Sequence, residues 1–197
     1  MVTARSKWGS WRSEAVLFCG LRDVWESRLS GWDWAWEFRE LGPKDPMRDL
    51  LQGGYLVLER VFRRGRSEML EWEFHVVLDP TYEVPAAYAR ACRVDGSALS
   101  VEDVLLELPP TSTGVSLEDH PVLNEPFLFF HACSTHELLD ALDHDQLPLL
   151  TWFLVAGPNM GLRIDPRQWP TFLKYLDDQR NASENLASLA NKARLWI

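Results

Sequence analysis

Leu70-Glu71-Trp72-Glu73-Phe74-His75-Val76-Val77-Leu78 decides the fold class of this chain. Leu70, Trp72, Phe74, Val76 and Leu78 share one face, and Glu71, Glu73 and His75 take the other. A period of two belongs to a strand, whose successive side chains point to opposite faces, and aromatic and branched residues suit that pleated surface. Asp79 and Pro80 stop it, since proline has no N–H to give to a ladder. Upstream, Tyr55 to Phe62 reads as a strand ended by Arg63, Arg64, Gly65, Arg66 and Ser67, a solvated turn. Gly42 to Pro46 is another turn. Before it, Trp32, Trp34 and Trp36 alternate with Asp33, Ala35 and Glu37, a half-buried strand whose tryptophans belong to the core. Residues 14 to 29 carry Leu17, Leu21, Val24, Trp25 and Leu29 near helical spacing and read as an opening amphipathic helix.

Downstream, Thr81 to Pro85 connects to a fourth strand, Ala86 to Val94, closed by the turn pair Asp95 and Gly96. Strands in immediate succession predict an antiparallel meander and an α+β chain. Ser100 with Asp103 has capping spacing, and Val101, Val104, Leu105 and Leu108 supply the stripe of a short helix ended by Pro109 and Pro110. Thr111 to Asn124, polar and containing Gly114 and Pro121, reads as a long surface connection. The apolar run Phe127 to Phe130 is short enough for a buried strand. Pro148 to Val155 reads as a helix stopped by Gly157 and Pro158, Asp165 with Pro166 marks another start, and Ser183 to Ile197 reads as a last helix that either packs on the domain, the default for a helix of this length, or docks a partner.

At 197 residues the chain fits one compact domain spanning 1–197, and 46 % hydrophobic with 25 % charged residues is ordinary globular composition. The net charge is −9 without an acidic tail, which argues against an electrostatic grip on nucleic acid or anionic lipid and favours a protein partner. The apolar run Ala15 to Phe18, near Arg5, Lys7 and Arg12, is too short for a signal-peptide core or a membrane span. Three cysteines, Cys19, Cys92 and Cys133, without regular spacing make a disulfide framework improbable and suit reduced thiols in the cytoplasm.

Phe130 leads into His131, Ala132, Cys133, Ser134, Thr135, His136 and Glu137. Ser134 and Glu137 have capping-box spacing and Leu138, Leu139 and Leu142 follow at helical intervals, so a helix starts just after Cys133. A helix N-terminus favours negative charge, enlarging the thiolate fraction of a cysteine placed there, and the thiolate is the nucleophile. Cys19, on a helix, and Cys92, in strand alternation, lack that reason to ionise and read as small hydrophobes. His131 either donates a hydrogen bond that shapes the cysteine loop or polarises the thiol, and His136 caps the helix surface. A metal set of His120, His131, Cys133 and His136 matches no standard zinc spacing, and no cofactor is expected. A cysteine hydrolase would need a histidine brought to Cys133 by the fold.

Trp72 to Pro85, then Val94-Asp95-Gly96, then Glu118-Asp119-His120-Pro121, then His131-Ala132-Cys133-Ser134-Thr135, in that order and spacing, resemble the autophagy-related E2-like conjugating enzymes. Thr151 to Leu162 adds to the likeness, which runs from about Met69 to Ile164 and leaves 165–197 as a helical extension. The resemblance implies an E2-like α/β fold with an N-terminal helix, an antiparallel sheet and C-terminal helices. It also implies a reaction: Cys133 accepts a ubiquitin-like modifier, autophagy protein twelve, from an E1-like enzyme, autophagy protein seven, and passes it to a lysine of autophagy protein five. His131 would shape the loop, with His120 and Pro121 structural. The family proline before the cysteine is Ala132 here, which loosens the loop and keeps an inactive adaptor in play. The histidine-proline-asparagine triplet of ordinary ubiquitin E2 enzymes is missing, so another oxyanion donor is needed, for which Asn124 is the candidate beside its reading as a turn residue. Tyr82 and Tyr88 lie near the site or fill the core.

Overall fold

The computed structural model describes residues 11–20, 36–110, 112, 114–131, 148–162, 170–171, 173–175 and 178. In chain order these form α1 (Trp11–Gly20), β1 (Glu37–Glu40), β2 (Gly54–Arg64), β3 (Met69–Asp79), β4 (Val84–Arg93), α2 (Val101–Glu107), β5 (Val115–Asp119), β6 (Pro126–Phe130) and α3 (Pro148–Ala156), which runs into a 3-10 turn, Gly157–Met160. The strands make one six-stranded sheet in the order β1-β2-β3-β4-β6-β5, and every pairing is antiparallel. The expected α+β meander is there in β1 to β4, extended by the β5–β6 hairpin on the β4 side.

β3 is central, and its apolar face is core: Leu70, Trp72, Phe74, Val76 and Leu78 are all buried. Full burial of side chains of this size contributes about 1.5–3 kcal/mol each. Arg63 departs from the solvated turn the sequence predicts. It belongs to β2, its guanidinium lies 5.3 Å from the Trp72 ring and 4.6 Å from the Phe74 ring, and Nη1 donates to the Met160 carbonyl at 2.8 Å. Burial pushes its pKa down to about 9. The long apolar stem and the stacking plane of arginine let it close a core edge that a string of charged letters conceals.

α1 buries Trp11, Ala15 and Phe18, a stripe at four- and three-residue spacing, while Leu17 is only half-buried. The helix thus begins earlier than expected and turns a different face inward. Trp11 Nε1–H donates to the Gly54 carbonyl at 3.0 Å, tying α1 to the start of β2. The tryptophan strand also shifts. Trp36 is buried against Phe18 and Phe153, but the ladder covers Glu37–Glu40, an edge strand whose Arg39 pairs with Glu59 at 2.7 Å. Trp32, Trp34 and residues 21–29 lie outside the described residues, as do 181–197 with the last expected helix.

α2 and α3 match the expected spans to within a residue or two. Ser100 caps α2, its hydroxyl accepting from the Asp103 N–H at 3.1 Å. Gly161, left-handed at φ +69°, closes the 3-10 turn. The connection from Thr111 to Asn124 is corrected: Val115–Asp119 is β5, paired with β6 from Val115–Phe130 to Asp119–Pro126. An edge strand ladders on one side only and needs no buried face. Leu117 is 52 % exposed and Glu118 and Asp119 are exposed, so no hydrophobic alternation betrays it.

Candidate active site

β6 is the strand that delivers the chain to the cysteine segment. It pairs with β4 so that Phe130 faces Ala87 and Leu128 faces Ala89. β6 therefore runs out toward the end of β4 that begins at Val84, the end that also carries the β3–β4 turn. Cys133, Ala132 and His136 lie outside the described residues; His131 is the last described residue before them.

The side chains of His131, Ser116, Glu118 and Phe129 meet on this hairpin. His131 follows β6, its backbone N–H donating to the Gly114 carbonyl at 3.0 Å. Gly114 sits at φ +63°, a conformation that costs other residues steric strain, and there it starts β5 opposite His131. Ser116 Oγ lies 3.1 Å from His131 Nε2 and donates to Glu118 Oε1 at 2.9 Å. A hydroxyl has one proton, and a carboxylate only accepts, so Ser116 accepts from His131 Nε2–H. The His131 ring also stands edge-on to Phe129, with centroids 4.9 Å apart.

Tyr82 lies in the β3–β4 turn at the same end of the sheet and is 46 % exposed. Its N–H and that of Thr81 donate to Asp79 Oδ1, at 3.1 and 2.7 Å, which shapes the turn. Tyr88 fills the core instead, 9 % exposed between His120 and Phe129, and burial, with Asp79 and Glu118 adding, pushes its phenol up to about 12. Asn124 is at the opposite end. It takes the left-handed position of the β5–β6 turn at φ +52° and donates its backbone N–H to the His120 carbonyl at 2.9 Å. The five residues of β6, at about 3.3 Å each, put roughly 16 Å between Asn124 and His131. That is the turn role of Asn124, and it leaves the oxyanion donor unassigned.

The β5–β6 turn also folds His120 onto the second face of β3, where His75 and His120 are both fully buried. His120 Nδ1 accepts from the N–H groups of Val122 and Leu123 at 3.2 and 3.3 Å, so its Nε2 carries the proton and donates to His75 Nδ1 at 3.0 Å. His75 Nε2–H then donates to Glu73 Oε1 at 2.7 Å. Arg90 completes the chain, donating from Nε to Glu73 Oε2 and from Nη1 to Glu125 Oε2, the latter at 2.6 Å. Burial, with His75 adding, pushes His120 down to about 3. Burial alone would raise Glu73, but hydrogen bonds from His75 and Arg90 outweigh it and hold the carboxyl near 2. With both ring nitrogens spent on protein partners, His120 is structural, and it has none left for a metal. Among the described residues no cluster of three or more His, Cys, Asp or Glu could hold a metal ion.

Sequence reasoning missed both networks. The signal for the relay was Glu73 and His75, two apart on one face of β3. The partner that buries them comes from 45 residues away in sequence. Ser116 and Glu118 carried the same spacing signal, hidden in a segment read as a loop.

Neither described cysteine competes as a nucleophile. Burial, with Glu37 beside it, pushes the Cys19 thiol up to about 12, and burial, with Glu71 beside it, raises that of Cys92. Cys92 lines a groove of about 490 Å³ with Glu71, Glu73 and Arg90. Both stay protonated near neutral pH, as small hydrophobes should.

Comparison with known proteins gives this arrangement a family. The chain is 28 % identical over 116 residues to the ubiquitin-like-conjugating enzyme ATG10 of Homo sapiens, an overlap of 50 % of this chain and 52 % of that protein. It is 30 % identical over 117 residues to the protein of the same name from Arabidopsis thaliana, covering 50 % and 52 %. For the Gibberella zeae protein of that name the figures are 27 % over 114 residues, covering 51 % and 48 %. The chain thus spans about half the length of the curated relatives it matches. Residues 55–167, more than half of the chain, match the family described as "Autophagocytosis associated protein, active-site domain", a span that begins at β2, takes in both histidine networks and contains His131 and Cys133. The chain therefore belongs to the autophagocytosis-associated proteins, through their active-site domain.

Proposed function

We propose that this chain is an E2-like conjugating enzyme of autophagy whose nucleophile is Cys133. The observation that carries this reading is the family match across 55–167, which is named for an active site and spans the cysteine segment that β6 runs into. The raised thiols of Cys19 and Cys92 support it, since each favours the unreactive form.

The modifier arrives as a thioester on the E1-like enzyme, autophagy protein seven. Cys133 thiolate attacks the carbonyl of the modifier's C-terminal glycine, the new C–S bond forms, and the E1 thiolate leaves. The modifier is autophagy protein twelve. A lysine amine of autophagy protein five then attacks the same carbonyl; the amide bond forms, the C–S bond breaks, Cys133 leaves as thiolate and the amine's proton passes to water. Desolvation at the closing interface favours the neutral amine, so positioning carries much of the rate. Reduced thiols of this kind belong to the cytoplasm. Among the described residues no helix is long and apolar enough to cross a membrane.

A second reading, an E2-like adaptor that keeps the partner surface without forming a thioester, draws on Ala132 in place of the family proline. The two separate on one gel. Incubated with the E1-like enzyme, ATP and the modifier, wild type is expected to form an adduct cleaved by thiol, and Cys133→Ser a thiol-resistant ester or nothing. No adduct on wild type, from an E1 that charges another partner normally, gives the adaptor reading.

A further inference from the structure

Toward the β2–β3 turn, the second face of the sheet carries an exposed apolar patch. Val61 and Arg63 on β2, and Leu70 and Trp72 on β3, face the core, so Phe62, Arg64, Met69 and Glu71 alternate outward. Phe62 is 52 % and Met69 43 % exposed. The ladder pairs Phe62 with Glu71 and Arg64 with Met69, which sets the four side chains at the corners of one rectangle, about 5 Å across the strands and about 7 Å along them. The two apolar side chains occupy one diagonal, and the two opposite charges the other. Charged neighbours are paired, Arg90 with Glu73 and Glu125, and Arg93 with Glu68. Arg64 and Glu71 make no ion pair among the described residues.

Such a rectangle is complementary to itself. When two of these faces meet about a two-fold axis lying along the Phe62–Met69 diagonal, each apolar side chain falls beside its own copy. The same axis exchanges the other two corners, so Arg64 of either copy comes opposite Glu71 of the other. A different protein would have to carry these charges in reverse order, whereas a second copy supplies them by symmetry.

We propose that this chain self-associates through the exposed face of β2 and β3, as a two-fold dimer centred on Phe62 and Met69 and registered by two Arg64–Glu71 pairs. The patch is small beside a standard interface of about 800 Å² per partner, and the net charge of −9 opposes the contact. The dimer is therefore weak, with a dissociation constant on the order of 10–100 µM. Nothing in it depends on the chemistry of Cys133.

Sedimentation velocity of the full chain under reducing conditions, from about 10 µM to about 1 mM, reads the association. The weight-average mass should climb from that of the monomer toward twice that value and stop there, since a two-fold contact closes. Phe62→Glu, which brings two like charges together at the axis, should weaken association about 10-fold or more. Arg64→Glu and Glu71→Arg should each weaken it about 3- to 10-fold, because both pairs turn repulsive. Mixed in equal amounts, those two variants should associate as well as wild type, since one carries two carboxylates where the other carries two cations. All three substitutions fall on solvent-facing side chains, and their far-UV circular dichroism should match wild type. A wild type that stays monomeric to about 1 mM, a mass that rises past that of a dimer, association indifferent to Phe62→Glu, or a mixture that associates no better than its components each overturns the proposal.

Discussion

Two histidine networks lie on one face of the same sheet, and they differ in nearly every physical respect. At the β5–β6 turn, His120 and His75 are fully buried, every ring nitrogen has a partner, and the chain of bonds ends on Glu73 and Arg90. At the other end of β6, His131 is exposed and one ring nitrogen is committed to a half-buried serine. A buried polar group without a partner costs its full desolvation, so the first network is complete because an incomplete one would not survive folding. An exposed group has water as an alternative, so the second can leave a valence open at little expense. Completeness marks the histidines that hold the fold, whereas His131, two residues before Cys133 in the sequence, keeps one ring nitrogen without a partner among the described residues.

The largest effect should come from breaking the buried network. His120→Ala removes the donor to His75 and the acceptor for two backbone N–H groups, and a loss of about 2–4 kcal/mol in urea unfolding is expected. A loss below about 1 kcal/mol would show that water replaces the ring, and the contrast between the two networks would collapse.

Acid sharpens the same contrast. His120 is near 3 in the fold against its ordinary 6.5, and Glu73 near 2 against 4.5. Both folded values are depressed, so the unfolded chain takes up protons first as pH falls. Their contribution is complete above about pH 6.5 and is lost progressively toward pH 3 and then 2. Urea midpoints of wild type should fall between pH 6.5 and 4, and His120→Leu should flatten that part of the curve.

Gly114→Ala tests the backbone of the exposed network. Its added Cβ would meet His131 Cβ at an ordinary 3.6 Å, so the cost is that of the left-handed backbone, about 1 kcal/mol. Smallest of all should be Ser116→Ala, within about 0.5 kcal/mol of wild type in stability, since the bonds it loses are solvent-accessible. A loss approaching that of His120→Ala would make Ser116 a structural residue like those of the relay.

Much of the sheet was legible along the chain because its strands are local patterns. β3 announced itself by alternation, β4 by its turn pair, α2 by Ser100 and its proline stop. The edges were not. β1 and β5 ladder on one side and carry charged residues, so the period-two signal fades where burial does. Arg63 was read as solvated because stacking on Trp72 and Phe74 depends on where two side chains of another strand, β3, stand. Of the candidate site residues, Cys133 was picked out by its sequence context, and the turn reading of Asn124 follows from residue type alone, asparagine being tolerant of positive φ.

The amino-acid sequence by itself determined the strand-forming segments, the short helix α2 and the chemical candidate, because periodicity, capping and thiol chemistry are written in neighbouring residues. Only the tertiary structure decided which of the described histidines are spent on protein partners and which keeps an open nitrogen among the described residues. His75 and His120 are 45 residues apart, Ser116 and His131 are 15, and a tautomer is settled by whichever donor or acceptor the fold brings within about 3 Å.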